Sequence, residues 1–380
     1  MQIYLDYSAT TPCRPEAIAA MQDVLTRDWG NPSSLHEWGK RAAFRIEQAR
    51  WEVAQLIHAP AESIVFTSGG TESDNLALQG VARSFSKPQH LIISSVEHPA
   101  IAQTAALLET QGWQVTQLPV NECGRVNPED LSNAIQPNTA LVSVIYGQSE
   151  VGTLQPITEL DKIAQNAGVL FHTDAVQAAG RVPIDVTTLP IDLLSLSSHK
   201  IYGPQGIGAL YIKPGTSLLP ISGGGGQEHN LRSGTQNVVA IAGFGVAASL
   251  ALQDIDREPK RLQTLRDRLL NQLAQIPILK LTGDPQHRLP HHVSFCLKMP
   301  AQSKMSGRTL VKQMNLAGIA ISAGSACHSG TLQPSPVLLA MGYKPDLAQS
   351  GCRITLGQAT TEADIDWTVA ALRQMLDRNS

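Results

Sequence analysis

No stretch of this 380-residue chain stays apolar for the ~18–20 residues that a membrane-spanning helix needs. The N-terminus, MQIYLDYSATTP, reaches Asp6 before an apolar signal-peptide core forms, so neither export nor membrane association is expected and the sequence reads as cytoplasmic. Charge of one sign is lacking too: 29 Lys and Arg face 32 Asp and Glu, for a net −3 with no basic tail. That balance removes the electrostatic drive for nucleic-acid binding, and no nucleic-acid partner is expected. Cysteine is sparse. Cys13, Cys123, Cys296, Cys327 and Cys352 are odd in number, scattered and free of CxxC spacing, which excludes a disulfide framework and a zinc knuckle, and no metal site is expected. Internal repeats are absent, and SGGGGQEHNLRSGT, from Ser222 to Thr235, is the one low-complexity piece.

The composition that remains, 42% hydrophobic and 16% charged, is that of an ordinary globular enzyme. Single cores stop growing at roughly 250–300 residues, so a large domain with a smaller companion is expected. Over residues 60–215, strand-like and helix-like patterns alternate: SIVFTS, HLIISS, WQVTQLPV, ALVSVIY, VLFHTD and DLLSLS, with helical runs between most of them, then IGALYIK. The pattern predicts an α/β fold whose mostly parallel sheet is covered by helices on both faces. From about residue 255 the texture changes to a charged helical run, DREPKRLQTLRDRLLNQLAQI, the strands HHVSFCLK, IAISAG and CRITLG, and a last helix, EADIDWTVAALRQMLDR. The expected division is a large domain over 15–255 and a smaller α+β domain made of 1–14 and 256–380, joined through one long helix.

In doubly wound sheets, ligands bind at the carboxyl ends of the strands. FTSGGTESDN places Ser68, Gly69, Gly70 and Thr71 where a strand turns into a helix, so free N–H groups and a hydroxyl converge on the positive end of a helix dipole. Taken singly this is equally a phosphate cradle or an ordinary turn with an N-cap. HTDAVQAAG ends a strand on Asp174 with Gln177 three residues on, and SSVEHPA ends one on Glu97 and His98. Each, alone, reads as a cap or a satisfied loop residue. SLSSHK brings Ser197, His199 and Lys200 to the same rim, and the glycines that follow let the backbone turn away. Together the rim holds an anion cradle, a carboxylate, a histidine and a lysine. Pyridoxal phosphate needs that set: a lysine for the Schiff base, an aspartate to keep the ring nitrogen protonated, an anion site, and a flat residue over the ring.

Motifs along nearly the whole chain then resemble one family. YLDYSATTP, NPSSLHEWG, FTSGGTESDNLAL, EHPA, HTDAVQAAG, SHKIYGPQGIGALYI, GGGGQEHNLRSGT, ISAGSACHSG and CRITLG are similar, in order, to cysteine desulfurases of the NifS/IscS type. These belong to the class-V aminotransferases among pyridoxal-phosphate enzymes of fold type I. The resemblance implies that Lys200 carries the cofactor, Asp174 pairs with its ring nitrogen, Gln177 bonds the ring hydroxyl, and His98 lies over the ring. It implies a phosphate site of Gly70, Thr71, Ser197 and His199, with Thr235 reaching in from the other subunit of a homodimer. Arg353 would hold the substrate carboxylate, a bidentate task suited to a guanidinium.

A cysteine is more often a small buried hydrophobe than a nucleophile. SAGSACHSGTLQPSP, however, is rich in glycine, serine and proline and gives Cys327 an exposed loop without an apolar shell. The resemblance to the long-loop group implies that Cys327 takes the sulfur as a persulfide, with His328 beside it. The implied reaction converts L-cysteine to L-alanine, and a sulfur-acceptor protein, such as an iron–sulfur scaffold, or thio-modification of RNA would collect the sulfur. The motif YGQSEVG departs from the family: Gln148 and Ser149 stand where two asparagines usually precede Glu-x-Gly, and Ser149 holds the position that meets cofactor and substrate. The loop reads Cys-His-Ser where threonine often follows the cysteine, and the chain ends at Ser380, soon after its last helix, where housekeeping members carry a further tail. A selenocysteine or cystine lyase on the same fold would dispense with Cys327. A non-catalytic sulfur-relay protein would have no use for Lys200 and Asp174.

Overall fold

The computed structural model describes residues 2–298, 306–324 and 333–377. The chain opens with β1 (Ile3–Tyr4), followed by α1 (Pro15–Arg27) and α2 (Glu37–Gln55). The alternation read from the sequence follows: β2 (Ile64–Thr67), α3 (Gly70–Arg83), β3 (His90–Ser94), α4 (Pro99–Thr110), β4 (Gln114–Leu118) and α5 (Pro128–Ala134). It continues through β5 (Thr139–Ser143), α6 (Ile157–Asn166), β6 (Leu170–Asp174), β7 (Leu193–Ser197) and β8 (Gly208–Ile212).

These strands form a seven-stranded sheet in the order β2-β8-β7-β6-β5-β3-β4. All neighbours are parallel except β8, which runs antiparallel to both β7 and β2. Every residue of β3, β5 and β7 is buried, as strands covered on both faces require, whereas the edge strand β4 leaves Gln114 and Gln117 exposed. One face packs Ile92, Val142, Phe171, Leu194 and Leu196 with α2 and with α7 (Val238–Asp254); the other packs Val65, Leu91, Ile93 and Leu210 with α3 and α4. Helix α7 is apolar on all sides and accordingly buried. Gly245 allows it to lie against α2, because a Cβ there would stand 2.6 Å from the Cα of Ala49.

The long joining helix expected from the sequence is instead two helices. After α7 the chain bends by 72° into α8 (Glu258–Leu273). An apolar helix buried against the sheet and an amphipathic one packing on a second core cannot share an axis. That second core is built on β9 (Leu279–Leu281), β10 (His292–Leu297), α9 (Gly307–Leu316), β11 (Ile319–Ala320) and β12 (Ser322–Ala323). It is completed by α10 (Pro336–Ala340), α11 (Pro345–Ala348), β13 (Cys352–Thr355) and α12 (Glu362–Asp377). A four-stranded sheet runs β12-β13-β10-β9, and IAISAG splits between two sheets because β11 pairs in parallel with β1. Ile3 and Leu5 therefore belong to the core of Leu262, Leu269, Phe295, Ile354 and Leu372. A further cluster of Val96, Ile145, Val151, Cys296, Val337 and Leu338 joins the two units behind the site.

Candidate active site

The strand order reverses around β3 and β5, which opens a crevice at their carboxyl ends. A cavity of about 770 Å³ lies there, and each strand end contributes to it: Gly70 and Thr71 after β2, Glu97 and His98 after β3, Gln148 to Glu150 after β5, Asp174 and Gln177 at β6, and Ser197, His199 and Lys200 after β7. Arg353, from β13, faces them from the second unit.

Lys200 Nζ donates to the carbonyls of Ser8 (2.7 Å) and Ala9 (2.8 Å). The segment from Asp6 to Thr11 is thus a strap between the two units: Thr11 Oγ1 donates to the His199 carbonyl, Thr10 Oγ1 meets His199 Nδ1, and Gln177 Nε2 donates to the Ser8 carbonyl. Burial and the neighbouring Lys200 charge push His199 down to about 4, so its ring is neutral at physiological pH. His98 caps α4, its Nδ1 accepting from the Ala100 N–H at 3.1 Å, which leaves the proton on Nε2. Burial lowers its proton affinity, and Asp174 partly restores it. Asp174 Oδ1 accepts from the Val176 N–H at 2.9 Å, but only turns follow, so the carboxyl caps no helix and faces the cavity. Burial raises its pKa, against the opposing pull of His98 and Lys200.

At the other end, a smaller cavity of about 310 Å³ is lined by Ser68, Gly69, Gly70, Thr71, Ser197 and His199. No side chain caps the start of α3, so its first N–H groups face this space, and a Cβ on Gly70 would come within 2.7 Å of Val176 Cγ2. Glu72, the one acid on this wall, is drawn aside: Ser68 N–H and Arg232 Nε hold it at 2.6 and 2.9 Å, and together they outweigh burial to keep it ionised. Such a cradle suits an anion. On the far side the Asp174 carboxyl suits a protonated ring nitrogen, and Lys200 supplies the amine between. The residues present therefore fit pyridoxal phosphate.

Arg353 donates from Nη2 to Asp6 Oδ1 at 2.8 Å and from Nη1 to the Ser149 carbonyl at 2.9 Å, while its Nε is buried without a partner among the described residues. Ser149 thus meets Arg353 through its backbone, which serine provides as well as asparagine. Gln148 is buried and turned inward, its Oε1 accepting from the Val151 N–H at 2.9 Å. Thr235 is exposed and lies outside the cavity wall of its own chain, and Cys327 and His328 fall outside the described residues.

The structure adds residues that the motifs did not single out for a role. Asp74 and Glu150 are buried on the cavity wall, and Glu97, in the loop between β3 and α4, joins them as a buried acid: burial, only partly offset by Ser94 and the Ile145 N–H, pushes Glu97 up to about 8. Behind the cradle, Arg50 and Glu228 form a buried two-pronged pair at 2.7 and 2.9 Å, and the Phe66 N–H adds a third bond to the carboxylate. This pair ties the Ser222–Thr235 loop to β2. The sequence carried no signal for these residues: TESDNLAL, which holds Asp74, is mostly polar, so nothing in it marks a buried acid.

Fold and site together define a pyridoxal-phosphate enzyme of fold type I, and the chain belongs to the aminotransferase class-V family, whose pattern it matches over residues 3–367. It is 43% identical over 379 residues to the cysteine desulfurase IscS of Dictyoglomus turgidum, covering 99% of this chain and 95% of that one. The human cysteine desulfurase is 42% identical over 381 residues, covering 99% and 82%. Among solved structures, a NifS-like protein superposes with a TM-score of 0.92 at 32% identity over the whole of both chains. SspA in complex with cysteine does so with a TM-score of 0.81 at 33% identity, over 94% of this chain and 99% of that one.

Proposed function

We propose that this chain is a cysteine desulfurase dependent on pyridoxal 5′-phosphate, converting L-cysteine to L-alanine and retaining the sulfur as a persulfide on Cys327. The observation that carries the reading is one cavity in which Lys200 stands between a carboxylate, Asp174, and an uncapped helix start, with Arg353 opposite.

Asp174 would hold the ring nitrogen, His98 the ring face, Gln177 the ring hydroxyl, and Gly70, Thr71, Ser197 and His199 the phosphate. When bound, the cofactor supplies an electron sink that makes the substrate's α-proton removable. Arg353 binds and orients the substrate carboxylate, held in plane by Asp6 and the Ser149 carbonyl. Lys200 Nζ, steered by two carbonyls of the strap, accepts the α-proton. His98 Nε2–H faces the cavity as a second proton carrier. The Cys327 thiolate attacks the substrate sulfur: an S–S bond forms, the Cβ–S bond breaks, and its electron pair stays on the β-carbon, which takes a proton; Lys200 then returns a proton to the α-carbon and the product departs as alanine.

The same reading extends to a homodimer. Thr235 lies outside its own cavity, and α1, α2 and the loop between them expose Leu25, Trp29, Leu35, Phe44 and Trp51, apolar surface that a second copy would cover. A persulfide must be handed on, so an acceptor protein serving iron–sulfur assembly or thio-modification completes the proposal. A free thiol nucleophile suits a reducing compartment, and the proposal extends to a cytoplasmic enzyme.

Cys327→Ser tests the function. The variant is expected to keep the cofactor's visible absorbance yet form little alanine and carry no added sulfur by mass spectrometry, while Lys200→Ala loses the absorbance and the activity. Undiminished sulfur release by Cys327→Ser would mean a lyase that eliminates sulfur directly.

A further inference from the structure

Asp74 sits one turn into α3, 1% exposed, on the wall of the main cavity. Its carboxyl, that of Asp174 and the ring of His98 each place one polar atom within 4.8 Å of the others. Asp74 Oδ1 is buried with no hydrogen-bond partner among the described residues. Two carboxylates so close in a buried site do not both ionise, because neither burial nor their mutual repulsion tolerates the second charge.

Which of the two keeps the proton follows from what faces each. Asp174 receives the Val176 N–H and has His98 and Lys200 as neighbours that favour its charge. For Asp74, the Ser195 hydroxyl alone among the described residues favours the charge. The groups facing it are Asp174 and Glu97, both acids, the Ser195 hydroxyl, and His172, whose Nε2 is 3.8 Å away. His172 is neutral: burial pushes it down to about 3, and its ring nitrogens are taken up by Ser143 (2.8 Å) and Ser195 (3.0 Å). Burial first, and then the charge of Asp174, raises the proton affinity of Asp74 well above that of an ordinary aspartate.

We propose that Asp74 is a positioning residue for the cofactor: it remains a neutral acid beside Asp174 and so makes Asp174 the one anion that the ring nitrogen meets. The role rests on the pyridoxal-phosphate reading above. A neutral, donating neighbour supports the charge on Asp174 without competing for the ring's proton, whereas a second anion would turn Asp74, His98 and Asp174 into a cation trap.

The test separates this role from that reading. Infrared difference spectra of cofactor-free wild type and Asp74→Asn at neutral pH should show the carbonyl stretch of a protonated carboxylic acid that the variant lacks. Titration of the cofactor-free proteins with pyridoxal 5′-phosphate, followed by fluorescence, should show Asp74→Ala binding about tenfold more weakly, and Asp74→Asn, which keeps a neutral donor, staying within about threefold of wild type. Absence of the infrared band overturns the proposal, as does an Asn variant as weak as the Ala variant or an Ala variant that binds like wild type. Failure of the wild type to bind the cofactor would sink the functional reading, while the infrared band would still report the state of Asp74.

Discussion

Replacing Arg353 should abolish discrimination for the substrate's carboxylate while leaving the cofactor in place. The guanidinium is 5% exposed, fixed in plane by Asp6 Oδ1 and the Ser149 carbonyl, and its Nε has no partner among the described residues. The N–H groups left over form the edge to which a carboxylate binds in two-pronged fashion. Hydrogen bonds to a charged group contribute about 1.5–3 kcal/mol each, so Arg353→Ala, which removes two, should lose about 3–6 kcal/mol of transition-state binding, a fall of roughly 10²–10⁴ in kcat/KM for L-cysteine. Arg353→Lys keeps the charge but not the fork, and should recover only part of the loss. Initial rates of sulfur release from L-cysteine and from cysteamine, its carboxylate-free analogue, provide the assay. Wild type should prefer cysteine strongly and Arg353→Ala should treat the two nearly alike, with the cofactor's absorbance as control. If Arg353→Ala keeps kcat/KM for cysteine within about threefold, or keeps the preference, Arg353 is not the carboxylate anchor.

Breaking the Arg50–Glu228 pair with Glu228→Ala leaves a buried guanidinium with only the exposed Glu47 as counter-charge and should cost about 3–5 kcal/mol in urea unfolding, whereas the double change Arg50→Met with Glu228→Leu should recover most of it; a single-variant loss under about 1 kcal/mol would contradict the burial argument. Glu97 gives a pH signature, because burial raises its folded pKa to about 8 while an unfolded glutamate titrates near ~4.3. Between those values the folded chain holds an extra proton, so this group's contribution to stability falls as pH rises through the window. Melting temperatures from acid to mildly alkaline pH should therefore decline less for Glu97→Gln than for wild type, and parallel curves would assign the proton elsewhere. His172, pushed down to about 3 by burial, acts in the opposite sense: stability is lost as pH falls below ~6.5, and substituting it with Gln should flatten that acid limb.

Local pattern alone determined much of this protein. Strands buried on both faces read as apolar runs, turns must carry glycine or short polar residues, and ligands gather where such strands end, so the rim of Thr71, His98, Asp174, Ser197 and Lys200 was legible before any contact was known. Only the tertiary structure decided which distant groups complete it. Lys200 Nζ is steered by carbonyls 192 and 191 residues away, and Arg353 by Asp6 at a separation of 347, because a strap near the N-terminus follows β1 into the second core. Periodicity has no access to such partners. Nor does it report strand direction, as the reversed β8 shows, or where a helical run must bend to serve two cores, as between α7 and α8. The protonation of Asp74, Glu97 and Asp174 lies further still from the sequence, since it depends on how much water and how many opposite charges the folded chain leaves around each carboxyl.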